Sequence, residues 1–348
     1  MALARAALPV LAILVFAGFT FVIIAAAGAT LGYDYEAYAR AAQRLLDGLP
    51  LYDPAVDLAG GFAIYLYPPP FAVAFAPFVL LGDPAGLYAW TALLIGSAVA
   101  AVALMPVSMS LRWTMLLLAG LSWPLLYSFK LGQVGPILVL LFVLGWRWLD
   151  RPVALGATIA VGALVKVQPA LLGGWALLTG RPRAAAVAAV GVAIVVVVTL
   201  PLVGVAAWSE YVAILRTVSE PVTTPHNFTV GAVLYQAGVP ADTAAIVQWA
   251  VVIGTLAVVV VAALRLSAEA SFMVAVVATQ LLSPLLWDHY AAVLLVPTAW
   301  LLARGAWWAV VIPLATSLPL VPFVPAAVYP IAFLVALVAP FTVRRAEA

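Results

Sequence analysis

Apolar runs that continue around the whole circumference of a helix, broken only by proline, glycine or charge, recur from one end of this chain to the other. Such a run offers water no polar face, so it is buried in lipid or in protein. Of the 348 residues, 67% are hydrophobic and 8% charged, against about 25% charged in an ordinary soluble protein. Soluble, secreted, DNA-binding and disordered classes are excluded together. At roughly 20 residues per crossing, the length leaves no room for a separate soluble domain. Cysteine is absent, which removes disulfides, thiolate metal sites and Cys nucleophiles. The net charge of +2 says little, whereas its distribution says more.

The runs predict an all-α, multi-pass single domain over residues 1–348 with about twelve spans. They cover 7–29, 86–105, 113–129, 134–146, 153–165, 169–178, 184–205, 241–264, 271–286, 290–302, 306–321 and 325–343. The first holds Arg5 and Ala25-Ala26-Ala27 in the manner of a signal peptide. Its apolar run is too long for a usual h-region, and it reads as an uncleaved helix. The pieces flanking Lys166 are each under ~20 Å long. That is short of a core about 30 Å thick, so they are expected to be re-entrant arms lining a cavity.

With both termini in the cytoplasm, ten of the thirteen arginines fall inside, as the positive-inside rule requires. Arg40, Arg44 and Arg216 stay outside with ten acidic residues, leaving Asp150, Glu269 and Glu347 inside. The topology needs residues 67–81 to dip into the outer leaflet and return, with Pro68-Pro69-Pro70 breaking any longer helix.

Two segments are expected outside. Residues 31–67 carry Asp34, Glu36, Asp47, Asp53 and Asp57 against Arg40 and Arg44. Within them Tyr38, Ala41, Ala42, Leu45 and Leu46 recur at helical spacing opposite Arg40, Gln43, Arg44 and Asp47, and Gly48 is a stop. This predicts an amphipathic helix on the membrane surface. Residues 206–229 carry Trp208, Glu210, Tyr211, Arg216, Glu220 and Pro225-His226-Asn227. The many Trp and Tyr residues read as interface anchors.

Ionisable residues in such a chain are functional candidates by default. The two lysines, Lys130 and Lys166, lie at the outer ends of short runs, with Gln133 and Gln168 beside them. Asp34, His226, Asn227, Asp288 and His289 fall near the same face. Lysines bind phosphate as point charges, a carboxylate such as Asp34 accepts a hydroxyl proton, and an imidazole orients a hydroxyl or carries a proton. Together they point to transfer of a group from a phosphate-linked lipid. Each residue also has a plainer reading: Asp34 as a helix cap, the lysines as snorkelling side chains, His289 as part of an interfacial belt, and His226-Asn227 as loop.

The residues at 32–38, 48–52 and 65–69, then Gly132-Gln133, Lys166 with Pro169, Asn227 with Gly231, and Ser283-Pro284-Leu285-Leu286-Trp287-Asp288-His289, resemble in order and spacing glycosyltransferase family 87. That family has the GT-C membrane fold and uses polyprenyl-phosphate sugars. The resemblance implies transfer of a hexose, mannose foremost, with inversion, to a glycolipid or polysaccharide acceptor on the extracytoplasmic face of a plasma membrane. It implies Asp34 as catalytic base, His289 as a second catalytic residue, and Lys166 and Lys130 holding the donor phosphate. Glu36, Gln133, Gln168, His226, Asn227, Asp288 and Tyr67 are expected to contact substrate. Where the family often has a second histidine after His289, this chain has Tyr290. No metal, cofactor or nucleic acid is expected; the partners are donor, acceptor and membrane lipid. Arabinofuranosyl transfer is the alternative within the reaction class. A lipid or sugar transporter or flippase, or a structural subunit without chemistry, are the alternatives outside it.

Overall fold

The computed structural model describes residues 2–52, 64–217, 222–224, 226–317 and 326–343. Asp53, Asp57, Glu220, Pro225, Arg344, Arg345 and Glu347 lie outside the described residues, as do parts of the last two expected spans. Among the described residues the fold is helical throughout, with no strand. In chain order the helices are α1 (Ala2–Ala27), α2 (Tyr33–Leu46), α3 (Pro69–Leu80), α4 (Ala85–Leu104), α5 (Met109–Leu121), α6 (Trp123–Leu131), α7 (Gly135–Arg147) and α8 (Pro152–Val165). They continue as α9 (Leu171–Leu178), α10 (Pro182–Thr217), α11 (Val230–Gln236), α12 (Ala241–Arg265), α13 (Ala268–Leu281), α14 (Leu295–Leu302), α15 (Val311–Ala315) and α16 (Val328–Thr342).

Among the described residues four stretches are long and apolar enough to cross a membrane: Ala7–Thr30, Ala85–Leu104, Pro182–Arg216 and Ala241–Arg265. A fifth crossing results if α5 and α6, bent by 61° at Ser122, count as one span. The other seven apolar runs form helices of 15 residues or fewer, at most about 22 Å long. Among the described residues, length and composition thus identify four or five crossings, and the seven shorter helices do not reach crossing length on their own. The long helices carry the lipid-facing surface, with Leu14, Phe21, Val197 and Ile253 all exposed. In contrast α13 from Ala270 onward and the whole of α14 are buried. α13 forms the centre on which α9, α12, α14 and α16 pack.

α2 follows its expected pattern. Tyr38, Ala41 and Ala42 are buried, while Arg40 and Glu36 pair on the outer side. Its end is a Schellman motif, in which the Leu49 N–H reaches the Arg44 carbonyl at 2.8 Å around left-handed Gly48. The apolar face is covered by α3 and α6, so protein rather than the membrane surface buries it.

The segment after 205, expected as loop, continues as helix to Thr217. α10 breaks at Gly204, whose φ of 76° and ψ of 161° no helix tolerates, and then resumes. Part of the aromatic set departs from the interface reading, while Tyr88, Trp249, Trp307 and Trp308 remain exposed. Tyr35, Tyr38, Tyr52, Tyr65, Tyr67, Phe71, Phe75 and Trp90 are buried, and Tyr38 meets Tyr67, Phe71 and Phe75 edge-on.

Candidate active site

The site forms where the start of α2 crosses the end of α6. Gly32 (φ 84°) precedes α2 and Gly132 (φ 72°) closes α6, both left-handed. The Gly32 N–H donates to the Lys130 carbonyl at 2.8 Å, and Trp90 Nε1 donates to the Gly132 carbonyl at 2.7 Å. A Cβ on Gly132 would stand 2.9 Å from the Cβ of Tyr35, closer than side-chain carbons approach. Glycine thus serves here both for its backbone freedom and for its missing side chain. The crossing sets Gln133 against Asp34.

Gln133 is buried and fully engaged. Its Nε2 donates to Asp34 Oδ2 at 2.6 Å. Its Oε1 lies 2.7 Å from the Tyr67 hydroxyl, 2.9 Å from the Tyr38 hydroxyl and 2.8 Å from the Val134 N–H. The two hydroxyls are 2.8 Å apart. The amide is therefore locked with its NH2 toward the carboxylate.

Asp34 itself is only half-buried, so the carboxylate keeps an open side. Burial raises it above the usual carboxylate range, as does the charge of Asp288. His289, Lys166 and the Gln133 hydrogen bond draw it part of the way back. Capping does not explain Asp34: Gly32 occupies the cap position of α2, and no side chain caps it.

Lys166 ends α8 in an extended conformation. At 8% exposure it does not snorkel. Its ammonium lies 3.6 Å from the ring centroid of Tyr290 and 5.9 Å from that of Tyr67. His289, 4% exposed, is no interfacial anchor. It starts a 3₁₀ turn, Asp288–Leu294, that packs on α6 and α7. Its Nδ1 lies 3.5 Å from Asp288 Oδ1, and its buried Nε2 has no hydrogen-bond partner.

The other expected site residues make the following contacts. Glu36 is exposed and paired with Arg40 on the outer side of α2, away from Asp34. Lys130 places its ammonium 5.7 Å from the Tyr127 ring centroid, and it is the backbone carbonyl of Lys130 that serves the site, through Gly32. Asp288 accepts the His289 N–H at 2.8 Å. Gln168 donates to Ser283 Oγ at 3.1 Å. His226 is exposed with a φ of 57°.

Asn227 is wholly buried and acts as a clamp. Its Oδ1 accepts from the N–H groups of Thr229 and Leu286 at 3.1 and 3.0 Å, and its Nδ2 donates to the Pro284 carbonyl at 3.2 Å. It thereby ties the loop to the segment leading into Asp288 and His289. Tyr38, Ser283 and Tyr290 are the members that the sequence did not assign. Tyr38 was legible only as an apolar-face residue of α2. Among the described residues no group of three or more His, Cys, Asp or Glu side chains stands close enough to hold a metal ion.

A chain with apolar helices of crossing length and a cluster of ionisable groups at helix ends is an integral membrane protein with a site for chemistry. The model of glycosyltransferase family 87 matches residues 65–286. The chain belongs to that family and is a membrane glycosyltransferase. The match includes Gln133, Lys166 and Asn227, while Asp34 and His289 fall beyond its two ends. No curated protein and no solved structure matches the chain.

Proposed function

We propose that the chain transfers a hexose, mannose, from a polyprenyl-phosphate donor to a glycolipid or polysaccharide acceptor, with inversion, at the extracytoplasmic face of the plasma membrane. The observation that carries this reading is the half-open Asp34 carboxylate flanked by buried Lys166 and His289.

In the reaction the acceptor oxygen attacks the anomeric carbon as its proton passes to Asp34. The bond from that carbon to the phosphate oxygen breaks, and its electron pair stays with the phosphate. The donor diester carries one negative charge and the departing monoester two. Asp34 becomes neutral as the phosphate gains this charge, so the electrostatic influence of Lys166 passes from the carboxylate to the leaving group. Raised basicity suits Asp34 to the task. The orphaned Nε2 of His289 is available to a sugar hydroxyl. α2, mounted on α3 and α6, holds Asp34 in place as the roof of the site, and residues 31–67 form the external loop that bears it.

The test incubates purified protein with a panel of polyprenyl-phosphate sugars, mannose and arabinofuranose among them, and glycolipid acceptors, with the product read by mass spectrometry. A hexose added from the mannosyl donor supports the proposal. An arabinofuranosyl product moves the donor assignment, and labelled substrate crossing proteoliposomes without any glycosidic product overturns the reaction.

A further inference from the structure

Lys166 stands on a flexible four-carbon stem, and an ammonium of this kind contributes to a phosphate site only when something fixes it. The partner it has is unusual in kind. Its Nζ lies 3.6 Å from the ring centroid of Tyr290, well inside the range of a cation–π contact. A carboxylate in that place would cancel the charge, whereas an aromatic face orients it and leaves it available to an anion.

The ring is itself held. Ser283, near the Tyr290 hydroxyl, accepts from Gln168 Nε2 at 3.1 Å through its Oγ, and Gln168 follows Lys166 by two residues. From the other side, the Tyr290 N–H donates to the Trp287 carbonyl at 3.0 Å. The ring also meets those of His289 and Trp287 edge-on at 5.0 and 5.7 Å. Loop 166–168 and the turn bearing His289 thereby meet at Tyr290, through the contact of the Lys166 ammonium with its ring.

We infer that Tyr290 is a positioning residue for the donor phosphate: its ring holds the Lys166 ammonium beside Asp34, where the leaving monophosphate forms. This inference rests on the phosphate role of Lys166 in the transfer reading.

The experiment measures binding of a polyprenyl monophosphate, the product lipid, to full-length protein in detergent. The variants are Tyr290→Leu, Tyr290→Phe, Lys166→Met and the double variant Tyr290→Leu/Lys166→Met, each checked for monodispersity. Lys166→Met and Tyr290→Leu are each expected to weaken binding about 10- to 30-fold. Tyr290→Phe, which restores the ring, recovers affinity to within about threefold of wild type, and the double variant binds no more weakly than Lys166→Met alone. Wild-type affinity in Tyr290→Leu, an equal loss from Tyr290→Leu with and without Lys166, or no binding by the wild type overturns the inference. Product formation lost in Asp34→Asn tests the reaction separately: a failed binding cycle with intact transfer sinks only the role of Tyr290.

Discussion

Replacing Gln133 by Leu removes the 2.6 Å hydrogen bond to Asp34 at nearly constant volume. A hydrogen bond to a charged group contributes about 1.5–3 kcal/mol, which corresponds to roughly 1–2 pH units of differential stabilisation of the carboxylate. The bond favours the ionised form, so its loss raises Asp34 further above its ordinary value. A general base must be ionised to act, and kcat/KM should fall as the pH drops through the Asp34 pKa. In the variant the acid limb is therefore displaced to higher pH by about 1–2 units, while the rate above the limb recovers. The groups facing the carboxylate, His289, Lys166 and Asp288, are unchanged. The same substitution strips an acceptor from the Tyr38 and Tyr67 hydroxyls and the Val134 N–H. The hydroxyls keep each other, so a stability loss of about 1–3 kcal/mol accompanies the shift. The assay is initial transfer rate against pH, from about pH 4 to 9, with thermal unfolding in parallel. A rate lowered equally at every pH, with the limb in place, refutes the claim that Gln133 sets the ionisation of Asp34.

Other substitutions test the scaffold around that carboxylate. In the unsubstituted protein the acid limb of kcat/KM lies above the ordinary carboxylate value, because burial outweighs the neighbouring cations; a limb at or below about 4 contradicts this. Gly132→Ala forces a side chain into a left-handed position 2.9 Å from Tyr35 Cβ. It should cost at least about 1–2 kcal/mol and depress turnover with it, and an unchanged melting temperature would show that the crossing of α2 and α6 is looser than drawn. Asn227→Ala strands two buried backbone N–H groups, about 1–3 kcal/mol each. It should lower the melting temperature, and a raised donor KM with normal stability would restore the substrate-contact role.

What the sequence made legible was mostly local. The apolar spacing of α2 and its stop at Gly48 depend on neighbours three and four residues away, and both appear in the structure. The break at Lys166 was legible because a lysine and Pro169 interrupt an otherwise apolar stretch. Long-range pairings were not. Gln133 meets Tyr38, Tyr67 and Asp34 across 95, 66 and 99 residues, and nothing in the spacing marks them as partners. Asn227 showed the right residue type, but its role depends on backbone groups at 284 and 286. The number of crossings was not legible for a physical reason: hydropathy alone does not say whether a short apolar helix packed within the protein, such as α13, also crosses the bilayer. Gly204 interrupts a helix without ending it, which moved residues 206–217 from loop to helix.

The most direct measurement is the transfer rate of Asp34→Asn beside the wild type, in the same detergent, with donor binding monitored in both. The substitution keeps the shape and removes the proton acceptor. The rate is expected to fall about 10²- to 10⁴-fold while donor affinity stays within a few-fold. An Asp34→Asn protein that transfers sugar at the wild-type rate would contradict the assignment of Asp34 as the base.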